Sequence, residues 1–375
     1  AASDVYKRQL LWLPFAVAEY VRQTGDEALL HEVVPFLVAP PLAPDAVESY
    51  DQPQVGPDTG TMLDHCRRAV DHARPRGQHG LPLFGGGDWN DGMNLVGEAG
   101  RGESTWLGFF LFDVYDRVAW MCERAGHTDA AAGYRREAAR LTPALEAAWD
   151  GEWYRRGYYD DGTTLGSAHN DECRLDSIAQ SWAVLSRRPG EEASERDRAA
   201  VRAADSRLVR AAERLVLLFW PPFDHTLHDP GYVRAYPPGV RENGGQYTHA
   251  AVWLGLAHAR MGDGGGAERI FALLNPVLRS STAATAERYR VEPYVLAADI
   301  YGCAPWVGRG GWTWYTGAAA WLWRLGVEGI LGLRHVDGHL YVAPCLPARW
   351  PGFEAWVRLG LARVHVVVSR GALPA

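Results

Sequence analysis

The fold class is indicated by two consecutive segments, TWLGFFLFDVYDRVAWMCERAGH (residues 105–127) and DAAAGYRREAARLTPALEAAWD (residues 129–150). Apolar residues recur along both at intervals of three and four, which predicts two amphipathic α-helices. The pattern breaks at Gly126 and His127, where we expect the turn between them. The sequence therefore predicts a long helical hairpin at this point.

Helical periodicity continues on both sides of this hairpin, from residue 10 to about residue 327. The paired segments recur roughly every 40 residues without a repeated sequence signature, which favours a closed helical toroid over a repeat solenoid. The further predicted helical segments are LLWLPFAVAEYVRQTGD (10–26), EALLHEVVPFL (27–37), GTMLDHCRRAVDHAR (60–74), LDSIAQSWAVLSR (175–187), RAADSRLVRAAERLVLLF (202–219), GQYTHAAVWLGLAHARMGD (245–263), GAERIFALLNPVL (266–278), EPYVLAADIYG (292–302) and GWTWYTGAAAWLWRLGVEGIL (311–331).

The two ends of the chain differ from this helical region. After about residue 328 the apolar residues alternate, and GHLYVAPCLP (338–347) and ARVHVVVSRG (362–371) predict antiparallel strands. Residues 328–375 are therefore expected to begin a small C-terminal β-domain that is cut short. The first nine residues, AASDVYKRQ, match the translation of a sequencing-library adapter, and we expect residue 10 onward to be a natural fragment whose upstream part is missing.

Composition excludes several function classes. A net charge of −7 argues against a nucleic-acid partner, because binding to phosphates needs a basic face. No apolar run approaches the length of about 18 residues that spans a bilayer, so no membrane contact is expected from this segment. The five cysteines are widely spaced and odd in number, which favours reduced thiols and a cytoplasmic location. Sixteen tryptophans and sixteen tyrosines are an unusual load, and flat rings beside polar groups are typical of sugar sites.

The most informative loop is FGGGDWNDGMNLVGEAGRGEST (residues 84–105), where Asp88, Trp89, Asn90 and Asp91 follow three glycines. A single loop acid more often caps a helix or forms an Asx turn. Here Trp89, Asn90 and Glu103 lie in the same loop, and none of them is needed to cap the following helix. This weakens the interpretation of the loop acids as caps. A carboxyl beside an indole in a partly dry pocket is a typical general acid, because burial raises its pKa.

Three further blocks carry candidate polar groups. RENGGQYTHAAVW (residues 241–253) places Arg241 and Glu242 at the entry to a helix and His249 in its first turns, where backbone N–H groups favour an anion. GRGGWTWYTGAAAW (residues 308–321) offers the donors of Thr316 and Gly317, although it is not a Walker A loop. CRLDSIAQSWAVL (residues 173–185) places two polar residues four apart on one helical face, a pattern that alone more often marks a surface than a site: Asp176 and Gln180. No zinc motif, nucleophile elbow or Rossmann fingerprint is present.

Together these blocks resemble glycoside hydrolase family 94, the inverting β-glucoside phosphorylases. GDWNDGMN, GRGESTWLG, RLDSIAQSWAVLS, YPPGVRENGGQYTHA, VEPYVLAADIY and GRGGWTWYTGAA occur in the order of that family, and the likeness covers residues 10 to about 350. It is strongest to the branch that contains the C-terminal region of cyclic β-1,2-glucan synthases and the 1,2-β-oligoglucan phosphorylases. The resemblance implies a mainly α fold, an (α/α)6 barrel followed by a short C-terminal β-domain, and a chain truncated at both ends.

The resemblance also implies roles for particular residues. Asp91 matches the general acid, and His249, Thr316 and Gly317 match the groups that hold phosphate. The family's phosphate-binding arginine precedes the first barrel helix in an RCSDD-like segment, where this sequence has VYKRQ. Arg8 is not expected to replace that arginine, so the arginine and a sugar-binding aspartate are expected to be missing. The remaining site residues are assigned to the substrate: Asp88, Trp89, Asn90, Asp176, Gln180, Arg241, Glu242 and Glu292.

The predicted reaction is the phosphorolysis of β-glucosides, with β-1,2-linked gluco-oligosaccharides as the expected substrate and α-glucose 1-phosphate as product. Phosphate is an anion and attacks directly, so one acid suffices, whereas an inverting hydrolase needs a second carboxylate to deprotonate water. The expected partners are therefore a β-glucan oligosaccharide and inorganic phosphate, with no cofactor and no metal. A homodimer and a place within a larger membrane-bound synthase, at the cytoplasmic face of the bacterial inner membrane, remain open.

Two alternatives stay open at this point. An (α/α)6 inverting hydrolase would use Glu242 or Glu292 as the base that activates water. A non-catalytic region that binds glucan or gauges its chain length within a cyclic glucan synthase is the other. Dependence of product formation on phosphate distinguishes the first alternative from phosphorolysis.

Overall fold

The computed structural model describes residues 7–40, 52–188 and 190–371. The helical region and the C-terminal strands follow one another in the predicted order. The α-helices within the described ranges are α1 (Lys7–Thr24), α2 (Met62–His72), α3 (Thr105–Arg124), α4 (Thr128–Ala147), α5 (Ser177–Leu185), α6 (Glu195–Leu208), α7 (Thr248–Arg260), α8 (Gly264–Leu274), α9 (Pro276–Arg279), α10 (Ala283–Tyr289) and α11 (Ala318–Arg324).

The hairpin predicted at residues 105–150 is confirmed as α3 and α4. Ser104 caps α3, because its hydroxyl accepts a hydrogen bond from the Leu107 N–H at 3.0 Å. Helix α3 is apolar on nearly every side and is buried over most of its length. Helix α4 buries a single stripe, with residues such as Tyr134, Ala138 and Leu141 facing α3. The first is therefore an inner helix and the second an outer one.

The inner helices form a ring. Helices α1, α3, α5 and α7 contact one another in this order, and α11 follows α7. Trp321 of α11 closes the ring, since its indole lies 6.5 Å from the Trp12 ring and 6.3 Å from the Phe15 ring of α1. Helices α2, α4, α6 and α8 pack outside their inner partners. This arrangement agrees with the predicted toroid of helical hairpins.

The centre of the ring is filled by aromatic side chains. Trp253 of α7 has its ring centre 5.3 Å from Trp182 of α5, and Trp182 lies 5.0 Å from Phe110 of α3. We call this group the aromatic layer; its members are Trp12, Phe15, Phe110, Trp182, Trp253 and Trp321. Burying rings of this size is a large share of the apolar stabilisation of the ring.

The inner helices run parallel to one another. Gln9 near the start of α1 and His249 near the start of α7 line one cavity. Arg22 and Arg260, at the opposite ends of the same two helices, line another cavity. The N-terminal ends of the inner helices therefore converge on one side of the aromatic layer, and their C-terminal ends on the other.

Strands also occur before residue 328, in the region where the sequence predicts helices, so the expectation of strands only at the C-terminal end was wrong. A hairpin joins Val33–Val38 to Gln54–Thr61, and two-residue pairings connect loops at the inner-helix starts. The described strands are β1 (Val33–Val38), β2 (Gln54–Thr61), β3 (Glu103–Ser104), β4 (Gly157–Tyr158), β5 (Thr164–Leu165), β6 (Leu175–Asp176), β7 (Val209–Arg210), β8 (Leu215–Val216), β9 (Phe219–Trp220), β10 (Gln246–Tyr247), β11 (Asp299–Ile300), β12 (Leu333–Val336), β13 (His339–Val342), β14 (Gly352–Leu359) and β15 (Ala362–Ser369).

Two predicted helices in the first two thirds of the chain are shorter than expected. Residues 27–37 form only the 3-10 helix Glu27–His31 before β1, because Pro35 and the β-branched residues that precede it disfavour helix. Residues 202–219 are helical only to Leu208 and then form the β7–β8 hairpin. Their apolar runs fit a buried strand as well as a helix, and periodicity alone does not separate the two.

Two later predictions also needed correction. Residues 292–302 are extended, with residues 295–300 buried in succession, and the Tyr289 hydroxyl holds them by donating to the Val295 carbonyl at 2.7 Å. Residues 311–331 become helical only at Ala318, and a π-helical turn, Leu325–Ile330, follows α11. Antiparallel strands are present at the C-terminal end as predicted, in the β12–β13 and β14–β15 hairpins, while the β-domain itself stays a prediction.

Candidate active site

The loop at residues 88–91 is a tight, locally hydrogen-bonded turn. The Asp88 Oδ1 accepts from the Asn90 N–H at 3.0 Å, and the Asn90 Oδ1 accepts from the Gly92 N–H at 3.0 Å. Asp91 then opens the 3-10 helix Asp91–Met93. Gly87 has φ of +132°, and a Cβ at this position would lie 3.1 Å from the Asp91 Cα. A glycine is therefore required directly beneath Asp91.

A buried arginine anchors this loop. Arg156 has no exposed surface, and its Nη1 and Nη2 donate to the two carboxylate oxygens of Asp88, each at 2.5 Å. Its Nε donates to the Asp176 Oδ2 at 3.0 Å, while the Ser104 hydroxyl donates to the Asp88 Oδ2 at 2.6 Å. Arg156 thus joins the candidate loop to the starts of α3 and α5. A bidentate pair of this kind fixes orientation as well as position.

Electrostatics in this network follow from burial and pairing. Burial raises the pKa of the Asp176 carboxyl to about 6, although the Arg156 guanidinium acts in the opposite direction. The two carboxylates of Asp88 and Asp176 raise the pKa of Arg156 and outweigh its burial. Sequence reasoning missed Arg156, because it follows Arg155 in a segment without a recognisable motif.

Four of the predicted site residues line one cavity of about 260 Å³: Trp89, Asp91, Glu242 and His249. Gln9, Trp12 and Tyr247 complete its wall. Asp91 lines this cavity and is exposed, which differs from the partly dry pocket predicted for its carboxyl. The cavity lies at the N-terminal ends of α1 and α7, where helix dipoles favour a bound anion.

His249 is held between indole rings. Its imidazole lies 4.4 Å from the Trp253 ring, 5.7 Å from the Trp321 ring and 5.8 Å from the Trp89 ring, measured between ring centres. Burial lowers its pKa to about 3, so the ring is neutral near pH 7. Within the described residues its Nε2 has no hydrogen-bond partner. A neutral histidine with an unpaired ring nitrogen is suited to a hydrogen bond with a ligand in the cavity.

Glu242 lines the cavity, whereas Arg241 does not line it and lies beside Glu242. The Arg241 Nε lies 3.4 Å from the Glu242 Oε2, and its guanidinium lies over the Tyr236 ring at 4.9 Å and the Trp312 ring at 5.6 Å. The side chain of Glu242 is 17% exposed. The cavity wall therefore carries a second carboxylate besides Asp91, and an arginine lies beside it.

Thr316, Gly317 and Glu292 do not line this cavity in the described structure. Thr316 accepts from the Ala318 N–H at 3.1 Å, and Gly317 caps α11, whose Trp321 reaches His249. Glu292 is exposed and accepts from the Trp314 Nε1 at 3.2 Å. The predicted phosphate contacts of Thr316 and Gly317 stay predictions. Of the two bases considered for a hydrolase, only Glu242 is at the cavity wall.

Asp88, Asp176 and Gln180 face protein groups. Asp176 caps α5 by accepting from the Ile178 N–H at 2.9 Å. The Gln180 amide accepts from the Tyr154 N–H and donates to the Tyr154 carbonyl, each at 2.8 Å. All three are at most 1% exposed, so the surface position considered for the Asp176–Gln180 pair was wrong. The sugar contacts predicted for these three have no support in this geometry, which favours a scaffold role.

Asn90 differs from these three residues. It is buried, yet its Nδ2 has no hydrogen-bond partner among the described residues. An amide donor left unpaired at the loop that carries Asp91 agrees with a contact to a substrate hydroxyl. That contact stays a prediction.

Among the described residues, no group of three or more histidine, cysteine, aspartate or glutamate side chains could hold a metal ion. The five cysteines are free thiols. The side chain of Arg8 lies outside the described residues, so its expected failure to replace the phosphate arginine stays a prediction. No helix in the described ranges is long and apolar enough to cross a membrane.

Comparison with known proteins identifies relatives along nearly the whole chain. A cyclic β-(1,2)-glucan synthase, NdvB, of Rhizobium meliloti is 51% identical over 363 residues, which are 96% of this chain and 13% of the synthase. A solabiose phosphorylase of Paenibacillus borealis is 29% identical over 92% of this chain and 42% of its own length. A 3-O-β-D-glucopyranosyl-β-D-glucuronide phosphorylase from the same organism is 30% identical over 97% and 45%. The chain thus spans less than half the length of these relatives.

Two solved structures share the fold. A family GH78 rhamnosidase of Bacillus sp. GL1 superposes with a TM-score of 0.56 at 16% identity, over 94% of this chain and 30% of the rhamnosidase. A sialidase gives a TM-score of 0.55 at 12% identity, over 80% and 26%. The family model described as the catalytic domain of the glycosyl hydrolase 94 superfamily matches residues 2–332. Since that match covers most of the 375 residues, the chain belongs to the glycosyl hydrolase 94 superfamily.

Proposed function

We propose that this chain is the phosphorolytic part of a β-glucan-processing enzyme, and that it converts β-glucosides and inorganic phosphate to α-glucose 1-phosphate. The observation that carries the proposal is that Asp91 and the unpaired Nε2 of His249 open onto one cavity at two helix N-termini. An acid and an anion site are what phosphorolysis requires. Membership of the superfamily, and relatives named as phosphorylases, support the same reaction.

The proposed mechanism is a single inverting displacement. A phosphate oxygen attacks the anomeric carbon, and the bond from that carbon to the glycosidic oxygen breaks as Asp91 protonates the leaving oxygen. The products are α-glucose 1-phosphate and a glucan shorter by one residue. General-acid assistance of this kind contributes roughly 10²–10⁴-fold to the rate. His249, with Thr316 and Gly317, would bind the phosphate, and Trp89 would offer its indole face to the sugar.

The network beneath the loop explains how Asp91 is held. Arg156 fixes Asp88 through two hydrogen bonds, and Asp88 fixes the Asn90 backbone one residue before Asp91. A proton donor must stay within about 3 Å of the oxygen that it protonates. We infer that Asp88 and Arg156 position the acid and do not react themselves.

Three finer inferences rest on the resemblance. The ring of paired helices is proposed to be an (α/α)6 barrel, with the two C-terminal hairpins as the start of a β-domain. The β-1,2 linkage follows from the identity with the cyclic β-(1,2)-glucan synthase, and so does a place within a larger synthase. The resemblance also leads us to predict that the protein acts on phosphate without a cofactor, lies in the cytoplasm and forms a homodimer.

The decisive experiment incubates the full-length protein with β-1,2-gluco-oligosaccharides, with and without phosphate. We expect α-glucose 1-phosphate only when phosphate is present, and its loss in the Asp91→Asn variant. Release of free glucose without phosphate, abolished by Glu242→Gln, would instead support the inverting hydrolase, which the position of Glu242 at the cavity wall keeps as second candidate. Binding of glucan with no turnover under either condition would support the non-catalytic alternative.

A further inference from the structure

A second, larger cavity lies on the opposite side of the aromatic layer. Its volume is about 620 Å³, within the range of roughly 300–1,000 Å³ typical of small-molecule sites. It is formed by the C-terminal halves of the inner helices and by the β12–β13 hairpin. Trp321 lines this cavity and also packs against His249 of the candidate active site, with 5.7 Å between the ring centres.

Five arginines line this space, and we call it the arginine cavity: Arg22, Arg117, Arg260, Arg324 and Arg334. Two of the five are neutralised by carboxylates. Arg117 pairs with Glu19, and its Nε donates to the Asp113 Oδ2 at 2.6 Å. Arg324 pairs with Glu19 at 3.0 Å and with Glu328 at 2.8 Å.

The other three arginines lack such partners. Within the described part of the chain, Arg22, Arg260 and Arg334 have no carboxylate within 4.0 Å. The Arg22 guanidinium lies over the Trp120 ring at 4.8 Å, and the Arg260 Nη2 donates to the Arg187 carbonyl at 2.6 Å. Three positive charges therefore face one cavity without a neutralising group in contact.

Burial and mutual repulsion act on these side chains. Burial and the neighbouring Arg117 lower the pKa of Arg22, although Glu19, Asp113 and Asp116 act in the opposite direction. Burial and the nearby Arg334 lower the pKa of Arg260. Asp113 and Glu191 act on Arg260 in the opposite direction. Arginine stays charged in proteins, so the remaining repulsion is present in the folded state, and an anion bound in the cavity would weaken it.

Helix-end compensation explains part of this cluster. Arg22 and Arg260 lie in the last turns of α1 and α7, where cations stabilise the negative end of the helix dipole. Arg334 lies on strand β12 and has no such role. Stabilisation of a helix dipole by a cation also does not explain why these arginines line a cavity of this size.

We propose that the arginine cavity binds a phosphate group, either free or carried on a sugar, through Arg22, Arg260 and Arg334. Guanidinium groups bind phosphate oxygens in bidentate fashion, and the exposed Tyr341 at the wall of the same cavity offers an aromatic ring for a sugar. This site is separate from the phosphate site proposed at His249, and the inference does not rest on the proposed reaction.

The test is calorimetric titration of the full-length protein with inorganic phosphate and with glucose 6-phosphate. The double variant Arg22→Gln/Arg260→Gln and the single variant Arg334→Gln are compared with Arg202→Gln, an exposed arginine paired with Glu195 outside the cavity. Each hydrogen bond to a charged group contributes about 1.5–3 kcal/mol, so losing one weakens binding by roughly 10- to 150-fold. Arg334 is exposed, and its single variant is expected to fold even if the double variant is unstable.

We expect wild type and Arg202→Gln to bind phosphate or glucose 6-phosphate at the arginine cavity with the same affinity. The two cavity variants should lose this binding, and His249→Ala should retain it. Tighter binding of glucose 6-phosphate than of phosphate at this cavity would assign a phosphorylated sugar, and equal affinity would assign the free anion. Titration curves for Arg334→Gln that match wild type with both probes would overturn the proposal. Loss of binding in His249→Ala alone would also overturn it, and would leave the proposed reaction intact.

Discussion

Replacing Arg156 by methionine removes the guanidinium that pairs with Asp88 and Asp176, and among the described residues no other cation pairs with these two buried carboxyls. Breaking a buried ion pair from one side costs about 3–5 kcal/mol, because the desolvated charge that remains is uncompensated. Arg156 is fully buried, and its three hydrogen bonds to carboxylates span 2.5 to 3.0 Å. We therefore expect Arg156→Met to lose about 3–5 kcal/mol of unfolding free energy, out of a typical total of about 5–15 kcal/mol.

The matched control is Arg135→Met. Arg135 also makes two hydrogen bonds to one carboxylate, that of Glu123, but the two side chains are 44% and 39% exposed. An exposed pair contributes about 0–1 kcal/mol. Urea unfolding followed by tryptophan fluorescence measures both variants, and a similar small loss in the two would refute the account of a buried anchoring network.

Acid should partly rescue the Arg156→Met variant. Without the guanidinium, burial raises the pKa of the Asp176 carboxyl further above its unfolded value of about 4, so the folded state binds more protons than the unfolded state. Stability of the variant then rises as the pH falls from 7 towards 5, and its deficit relative to wild type shrinks. A deficit that stays constant over this range would indicate that lost packing, and not unpaired charge, is responsible.

The remaining predictions concern the cavity that holds Asp91. Asp91→Asn should slow phosphorolysis of a β-1,2-glucan by about 10²–10⁴-fold but that of a nitrophenyl glucoside far less, since nitrophenolate leaves without a proton, whereas Asp88→Asn should show no such dependence on the leaving group. Burial lowers the pKa of His249 to about 3, so the unfolded chain binds more protons than the folded chain between pH 3 and 6.5. The unfolding free energy should therefore fall as the pH is lowered, by at most about 1.4 kcal/mol per pH unit from this residue. In the same denaturation assay, the stability of His249→Gln should depend less on pH. Gly87→Ala should reduce kcat by displacing the Asp91 backbone, while Gly25→Ala, also at positive φ but with no atom within 4 Å of the added Cβ, should destabilise without changing kcat.

The helical hairpins could be inferred from the sequence because their signal is local. The apolar spacing in α3 and α4 reflects one buried face per turn, and Ser104 and Gly126 terminate that pattern within a few residues. Residues 27–37, 202–219 and 292–302 were misassigned for the same reason. Residues 33–38 pair with the distant strand β2, and the runs at 215–219 and 295–300 are buried in extended form. A short apolar run carries no information about such distant contacts.

The order of the sequence motifs is enough to place Trp89, Asp91, Glu242 and His249 in one candidate site. Each lies in a sequence block that is not specific alone, and the blocks together, in their order, resemble the family. The fold brings these four to one cavity, while it sets Asp88, Asp176 and Gln180 into the scaffold behind them. Proximity in sequence could not separate Asp88 from Asp91, since side chains three residues apart in a turn point in different directions.

The helical class and the change to strands near residue 328 could be inferred from local sequence patterns alone, whereas the catalytic role of the loop at residues 88–91 stays a prediction. Only the tertiary structure decided which polar groups meet. Arg156 reaches Asp88 across 68 positions of the chain, and Arg324 reaches Glu19 across 305. The α3–α4 hairpin brings the loop that carries Arg156 to the loop that carries Asp88, and closing the ring brings Arg324 of α11 to Glu19 of α1. Local propensity acts over a few residues, whereas the pairing of buried charges depends on how the whole ring closes.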